Sequence, residues 1–433
     1  MRFLHPDGSV VHVAYCTNVH PAEDVAGVLG QLRRYAGPVR ERLGVPRLGV
    51  GLWLSRPVCD ALTAEPGEAV RLREALAEHG LEVVTLNGFP YQGFHDYEGE
   101  SDAGSAVPGS PKLRVYHPDW TTEARLDYTL ALARVLAGLL PDDVRSGSVS
   151  TLPLAWRTPW TPERSDAAMR VLDRLAEGLA EVAATTGRTI RVGFEPEPGC
   201  VVENTTQAAR HLGGADHDYL GVCLDACHLA VQFEDPGQAL ARLAGAGLPV
   251  VKLQASCALQ VDDPADPAAR EALAAFAEPR FIHQTRERGD GTPRPETGHD
   301  GEAADRPGHG DVSHGTDRPG HGDVSHGTDD LGEALGGELP GEAPWRVHFH
   351  VPLHATPAPP LASTQEVLDE TLRALLAGPS ALTRHVEVET YTWQALPEDR
   401  RPETDEALVE GIALELAWMR DRLIDLGLKE ETP

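Results

Sequence analysis

The sequence holds no apolar run of the ~18 residues that a membrane-crossing helix needs, so a spanning segment is not expected. Its start, Met1-Arg2-Phe3-Leu4-His5-Pro6-Asp7, lacks the apolar stretch of a signal peptide. No CxxC pair occurs, and Cys16, Cys59, Cys200, Cys223, Cys227 and Cys257 form no dense framework. Most of them sit in apolar, strand-like contexts, where a reduced thiol packs as a small hydrophobe. Basic residues are scarce: 38 against 67 acids, a net charge of −29. That balance argues against nucleic acid or an anionic membrane as partner, since both are polyanions. No GxGxxG opens a helix after the first strand, which weakens a dinucleotide-binding reading. These absences together predict a soluble cytoplasmic protein with no membrane insertion.

What is present is a regular alternation. The chain is 41% hydrophobic, enough for a sizeable core. Strand-like runs fall near 10–18, 47–55, 81–88, 147–152, 189–196, 219–226, 249–256 and 384–391. Helical period fills Asp24–Leu43, Gly67–His79, Thr122–Leu140, Pro162–Thr186, Asn204–Leu212, Pro236–Ala244 and Asp405–Leu426. Eight strands with helices between them predict an α/β fold, a single (β/α)8 TIM barrel over residues 1–433. Parity agrees. Val192 and Phe194 alternate with Gly193 and Glu195; Val222 and Leu224 with Cys223 and Asp225; Val251 and Leu253 with Lys252 and Gln254. Val386 and Val388 alternate with His385, Glu387 and Glu389. The apolar set can face surrounding helices and the polar set the barrel interior.

Two polar tracts break the pattern. Residues 287–342 are rich in Gly, Asp, His, Pro and Glu, and the twelve-residue unit 305–316 recurs unchanged as 317–328. Two copies cannot bury a core, so this tract is predicted to be a disordered insertion between strands seven and eight. Its His299, His309, His314, His321 and His326 offer loose metal donors; a flexible insertion is the plainer reading. Residues 98–112 form a shorter polar loop. Arg280–Thr285 and Trp345–Val351 flank the long tract and read as strands of a hairpin excursion, with His348 and His350 on one face.

Three strands end on acids. They are Val192-Gly193-Phe194-Glu195-Pro196-Glu197, Val222-Cys223-Leu224-Asp225-Ala226-Cys227-His228 and His385-Val386-Glu387-Val388-Glu389-Thr390. A barrel brings such ends to one mouth. A divalent metal there wants carboxylate oxygens and imidazole nitrogen from several strand ends. The predicted ligands are Glu195, Asp225, His350 and Glu389, for Mn, Mg, Zn or Co. Glu197 and Glu387 are spare acids for moving a proton, and His228 is a nitrogen ligand or proton carrier. Asp225 also suits the cap of a following helix. Amides, hydroxyls and aromatics at other strand ends suit a hydroxylated ligand. The substrate-contact set is Asn18, His20, Asn87, Tyr91, His95, Ser150, Lys252, Gln254, His348 and Trp393; the Trp120 and Trp393 rings can wall the pocket, with core packing the plainer reading for both.

The acid-tipped strands, with Leu224-Asp225-Ala226-Cys227-His228 and Val388-Glu389-Thr390, resemble the xylose isomerase-like barrel superfamily of sugar isomerases, sugar epimerases and endonuclease IV. More closely, the chain is similar to the EboE-type metabolite traffic proteins. The matching stretches are 15–21, 85–91, 117–120, 150–153, 348–352 and 387–393, which span nearly the whole chain outside the two polar tracts. The resemblance implies the barrel and a place in a gene cluster that moves a secondary-metabolite precursor, with other proteins of that cluster as partners. It places Glu195, Asp225 and Glu389 where metal-binding acids are expected and His228 where a second histidine sits. Strand seven departs, with Lys252-Leu253-Gln254 where a histidine is usual. Either His348 or His350 supplies the nitrogen, or the site holds no metal. The two readings that follow are a metal-dependent isomerase or epimerase acting on a small hydroxylated or carbonyl metabolite, and a carrier that keeps the pocket without turnover. An endonuclease reading is opposed by the charge.

Overall fold

The computed structural model describes residues 1–95, 111–289 and 324–431. A short edge strand β1 (Arg2–Leu4) precedes seven strands: β2 (Val10–Cys16), β3 (Leu48–Trp53), β4 (Leu81–Asn87), β5 (Ser146–Thr151), β6 (Thr189–Phe194), β7 (Leu220–Asp225) and β8 (Val250–Ala255). The chain then leaves the barrel through β9 (Leu259–Val261), β10 (Thr285–Arg288), β11 (Val324–Thr328), β12 (Trp345–Val347) and β13 (Leu361–Ser363). It returns as β14 (His385–Val388), and β15 (Lys429–Glu430) closes on β1. Strands β2 to β8 and β14 pair in parallel, and β14 pairs with both β8 and β2. The sheet is therefore closed, as the alternation predicts for a (β/α)8 barrel.

Period-2 patterning explains the closure. Val13, Val50, Val149, Val192, Val222 and Leu253 are buried against the helix layer. The alternate residues fill the interior with polar side chains that bond one another. Helices start where capping chemistry puts them. Thr161 accepts from the Arg164 N–H ahead of Pro162–Thr186, and Gly187 at φ +66° ends that helix. Helices over Arg56–Ala64, Pro267–Ala274 and Gln365–Leu376 add to those the periodicity predicts. Among the described residues no helix is long and apolar enough to cross a membrane.

The excursion is larger than a hairpin. It is a five-stranded antiparallel sheet in the order β11-β10-β12-β9-β13. The two flanks do pair, but the strands are shifted from the expected Arg280–Thr285 and Trp345–Val351: β10 begins only at Thr285, which stands opposite Val347, with Glu287 opposite Trp345, and β12 stops at Val347. The predicted disordered tract is correspondingly too wide. Residues 287–289 and 324–342 are ordered: β11 pairs along β10, and Leu331, Ala334 and Leu339 are buried. The Glu287 carboxylate accepts from Trp345 Nε1 at 2.8 Å and Gly341 N at 2.7 Å. Ladder bonds use backbone groups, so polar composition alone hid them. The first repeat, most of the second, and residues 98–110 lie outside the described residues.

Candidate metal centre at the barrel mouth

Glu195 follows β6, Asp225 ends β7, and Glu389 follows β14. Each offers a carboxylate oxygen within 4.8 Å of the other two. Burial and mutual repulsion push Glu195 and Glu389 well above the ordinary carboxylate range. Burial works the same way on Asp225, yet the His228 and His350 rings, the His228 N–H and the Ser256 hydroxyl hold it below that range. Asp225 does two jobs. Its Oδ1 caps the helix Ala226–Val231 by accepting from His228 N at 2.9 Å, and it also accepts from Ser256 Oγ at 2.7 Å. Its Oδ2 has no hydrogen-bond partner.

Two more buried atoms stand unpartnered beside it. Gln254 Nε2 donates to Asn87 Oδ1 at 3.1 Å, which leaves Gln254 Oε1 free. His350 Nδ1 donates to the Glu389 carbonyl at 2.7 Å, which leaves Nε2 free at 3.9 Å from Asp225 Oδ2. A buried polar atom left unmade costs ~1–3 kcal/mol. Asp225 Oδ2 and His350 Nε2, near each other without a donor and beside two crowded acids, form a donor set for one divalent cation, and Gln254 Oε1 is a further free acceptor of the neighbouring strand. The residues present fit a metal.

The neighbouring histidines carry the same mark. His228 Nδ1 donates to the Pro196 carbonyl at 3.0 Å. His348 Nδ1 donates to Gln284 Oε1 at 2.6 Å. Gln284 cannot be turned round, because its Nε2 donates to the Pro198 carbonyl at 2.8 Å. Both Nε2 atoms therefore present lone pairs, and they lie 3.0 Å apart. Two lone pairs at that distance repel unless a positive charge sits between them. Burial lowers His228 to about 4 and His348 well below its ordinary value, so a ring proton is a poor choice. Metal-binding imidazoles commonly anchor their far nitrogen on a carbonyl, as all three do here. Glu197, His228 and His348 also bring ligand atoms within 4.8 Å of one another.

The model of the xylose isomerase-like TIM barrel family matches residues 48–266. The chain belongs to this family. Among solved structures, it is similar to a xylose isomerase-like TIM barrel protein from Mycobacterium smegmatis in complex with magnesium, at 16% identity over 59% of this chain and 78% of that one, TM-score 0.39. It is also similar to the probable 3-DHS dehydratase AsbF from Bacillus anthracis, at 14% identity over 61% and 78%, TM-score 0.35. D-psicose 3-epimerase from Clostridium cellulolyticum H10 matches at 12% identity over 56% and 72%, TM-score 0.36. No curated protein matches the sequence.

In this xylose isomerase-like barrel, Asn18, Asn87, Glu195, Glu197, His228, Gln254, His348, His350 and Glu389 line one cavity of about 110 Å³. Asn18 Nδ2 donates to Glu389 Oε1 at 3.1 Å. Other predicted site residues lie elsewhere. Glu387 is no free base: its Oε2 lies 2.6 Å from Lys252 Nζ, and both side chains are fully buried. Lys252, predicted to touch substrate, is spent on that pair. Ser150 donates to Asn87 Oδ1 beneath the cavity. His20 stacks on Tyr35 at 4.0 Å between centroids. Tyr91 packs edge-on to Tyr128, and the His95 Nε2 contacts the Asn18 carbonyl at 2.8 Å. Trp393 donates to Glu415 and belongs to the core, the second of its two readings; Trp120 donates to Thr151 and packs on Phe194.

The sequence pattern missed the residues that hold these ones in place. Tyr116 donates to Glu197 Oε1 at 2.8 Å, and Gln284 Nε2 reaches the same oxygen at 3.3 Å. Burial outweighs these bonds and raises Glu197 to about 8. Glu415, on the helix Asp405–Asp425, accepts from Leu353 N at 3.0 Å, Thr390 Oγ1 at 2.5 Å and Trp393 Nε1 at 3.0 Å. It braces the loops that carry His350 and Glu389. No motif announced it; a lone acid at a buried position of an amphipathic helix was the available signal.

Burial raises Glu415 from 4.5 to about 7 against the bonds that favour its charge. The folded chain then holds a proton there that the unfolded chain has lost. Stability contributed by this site falls as pH rises through that window, by up to ~1.4 kcal/mol per pH unit. Glu415→Gln is expected to flatten that part of the slope. Urea denaturation at pH 5, 6 and 7 checks it; parallel slopes for variant and parent contradict it.

Proposed function

We propose that this xylose isomerase-like barrel is a divalent-metal-dependent isomerase or epimerase acting on a small hydroxylated or carbonyl metabolite. The unpartnered Asp225 Oδ2 and His350 Nε2, 3.9 Å apart beside Glu195 and Glu389, carry the reading. Nitrogen donors among the oxygens favour Mn, Co or Zn over Mg. When bound, such an ion polarises a carbonyl or hydroxyl oxygen. The chain supplies the rest. Glu197 faces the cavity and moves the proton, oriented by Tyr116 and Gln284. His228 stands beside it as a nitrogen donor, its Nδ1 committed to the Pro196 carbonyl and its Nε2 lone pair free. Asn18, whose Oδ1 is unpartnered, offers a polar contact to the hydroxyl groups. Phe94, Phe281 and Tyr391 close over the polar floor and limit water.

The finer assignment is an EboE-type metabolite traffic protein serving a secondary-metabolite pathway, with proteins of the same gene cluster as partners. The motifs Tyr15–Pro21, Thr85–Tyr91, His348–Pro352 and Glu387–Trp393 support it.

Exchange in D2O tests the reaction. Metal-loaded protein incubated with small ketoses and hydroxy ketones is expected to place deuterium on the carbon beside the carbonyl, read by proton NMR. Glu197→Gln should abolish exchange while keeping its metal by elemental analysis. Gln254 in place of the usual histidine favours the carrier reading, and ligand binding without exchange across that panel would establish it instead.

A further inference from the structure

Above the acid floor the cavity changes character. Its wall is aromatic: Phe94 and Phe281 lie 5.3 Å apart between centroids, Phe281 and Tyr391 5.0 Å, and Phe94 and Tyr391 5.7 Å. Its rim is basic. Arg114 and Arg280 line it, both partly exposed, whereas Glu195 and Glu389 are each 5% exposed. Lys112, also on the rim, is tied to Asp330 Oδ2 at 2.5 Å and to the Glu278 carbonyl at 3.0 Å. Those bonds pin the segment Pro111–Tyr116 against the loop that carries Arg280. Neither Arg114 nor Arg280 has an ion-pair partner among the described residues. The Arg280 guanidinium rests over the Phe281 ring at 5.9 Å, which orients it without neutralising it.

In a chain of net charge −29, two guanidinium groups at the mouth of the acid-floored pocket thus have no ion-pair partner among the described residues. A neutral polyol has no use for them. We infer that the substrate carries an anionic group, a carboxylate or phosphate, at the end remote from its reacting oxygens, joined to them by a short flat or apolar segment. Arg114 and Arg280 take the anion, Phe94, Phe281 and Tyr391 take the flat segment, and the floor takes the oxygens. Guanidinium suits both anions, because its fork of N–H donors matches their paired oxygens. This inference rests on the metal reading above.

Hydroxamic acids separate the parts, since the hydroxamate grips a bound ion and the remainder of the molecule points up the cavity. Isothermal titration of the Mn-loaded protein would use acetohydroxamate, benzohydroxamate, 4-carboxybenzohydroxamate, 4-carbamoylbenzohydroxamate and 4-phosphonobenzohydroxamate. The carboxylated probe is expected to bind at least about tenfold tighter than its carbamoyl twin at low salt, the advantage shrinking as salt rises. The phosphonate shows which anion the rim prefers. Benzohydroxamate should outbind acetohydroxamate. Arg114→Gln with Arg280→Gln should erase the preference for charge and leave benzohydroxamate affinity unchanged. Equal binding of the anionic probes and the carbamoyl probe, or a preference that survives the double substitution, overturns the inference alone. Failure of every hydroxamate to bind overturns the metal reading and this one with it.

Discussion

Replacing Asp225 by Asn is expected to abolish divalent-cation binding at the proposed site and leave the barrel folded. The side chain's two oxygens have separate duties. Oδ1 caps the helix Ala226–Val231 and accepts from Ser256, and an Asn oxygen keeps both bonds. Oδ2 is the unpartnered atom beside His350 Nε2. In the Asp225→Asn variant an amide N–H2 takes the place of Oδ2; it donates to the imidazole lone pair and presents no lone pair to a metal. Affinity for Mn or Zn should drop by more than the ~10–100-fold that changes to supporting residues typically cost. The metal-free variant should melt at or above the metal-free parent. The stabilisation the parent gains from added ion, ~2.7 kcal/mol at a hundredfold excess over Kd, should vanish. A merely structural Asp225 predicts the reverse: normal metal content and a lower melting point. Elemental analysis and thermal melts with and without Mn decide it, and wild-type stoichiometry in D225N would sink the metal centre.

The barrel was legible because period 2 is a strong signal when one face is buried and the other polar. The acid-tipped ends of β6, β7 and β14 were legible for the same reason, and a closed barrel has one mouth for them to share. Two things were not. The first is depth. Glu387 and Glu389 share a face and differ by one step of ~6.6 Å along the strand. That step separates a cavity-lining ligand from a carboxylate locked to Lys252. Depth depends on the stagger between strands, which no single strand encodes: Glu387 stands in register with Gln254, yet its oxygen reaches Lys252. His20 and Ser150 fail similarly, one turned onto Tyr35 and the other tied to Asn87 below the site. The second is the extent of the excursion: its two flanks were legible as strands of a hairpin, its five-stranded sheet was not. Strands of three to five residues with polar sequences leave almost no periodicity to read, and their sheet is held by ladder bonds. Yet this sheet delivers His348 and Gln284, the pair that fixes the imidazole lone pairs.

Lys252→Met is expected to be the most damaging single change to stability. The ammonium is fully buried, 2.6 Å from Glu387 Oε2 and 2.9 Å from Asn87 Oδ1. Burial alone would lower its pKa, but Glu387 outweighs burial and raises it, so the charge is firmly held. Gly51 makes room: a Cβ there would collide with the Glu387 carboxyl. Methionine matches the volume and removes the charge, which leaves an unpaired carboxylate in the barrel interior. Removing one partner of a buried pair costs ~3–5 kcal/mol. Glu387→Gln in the same chain removes the stranded charge, so the double variant should lose less than the sum of the two single losses. The damage should also rise to the mouth. Asn87 Oδ1 accepts from Lys252, Gln254 and Ser150, and its Nδ2 donates to Glu387 Oε1 at 2.6 Å. Without Lys252, Asn87 loses one of the three donors on its Oδ1 and is held less firmly under Gln254, and metal affinity should weaken by up to ~10–100-fold even where the chain remains folded. Urea denaturation gives the first effect and metal titration the second. A K252M barrel within ~0.5 kcal/mol of its parent would mean that the layer beneath the site is packing rather than electrostatic support.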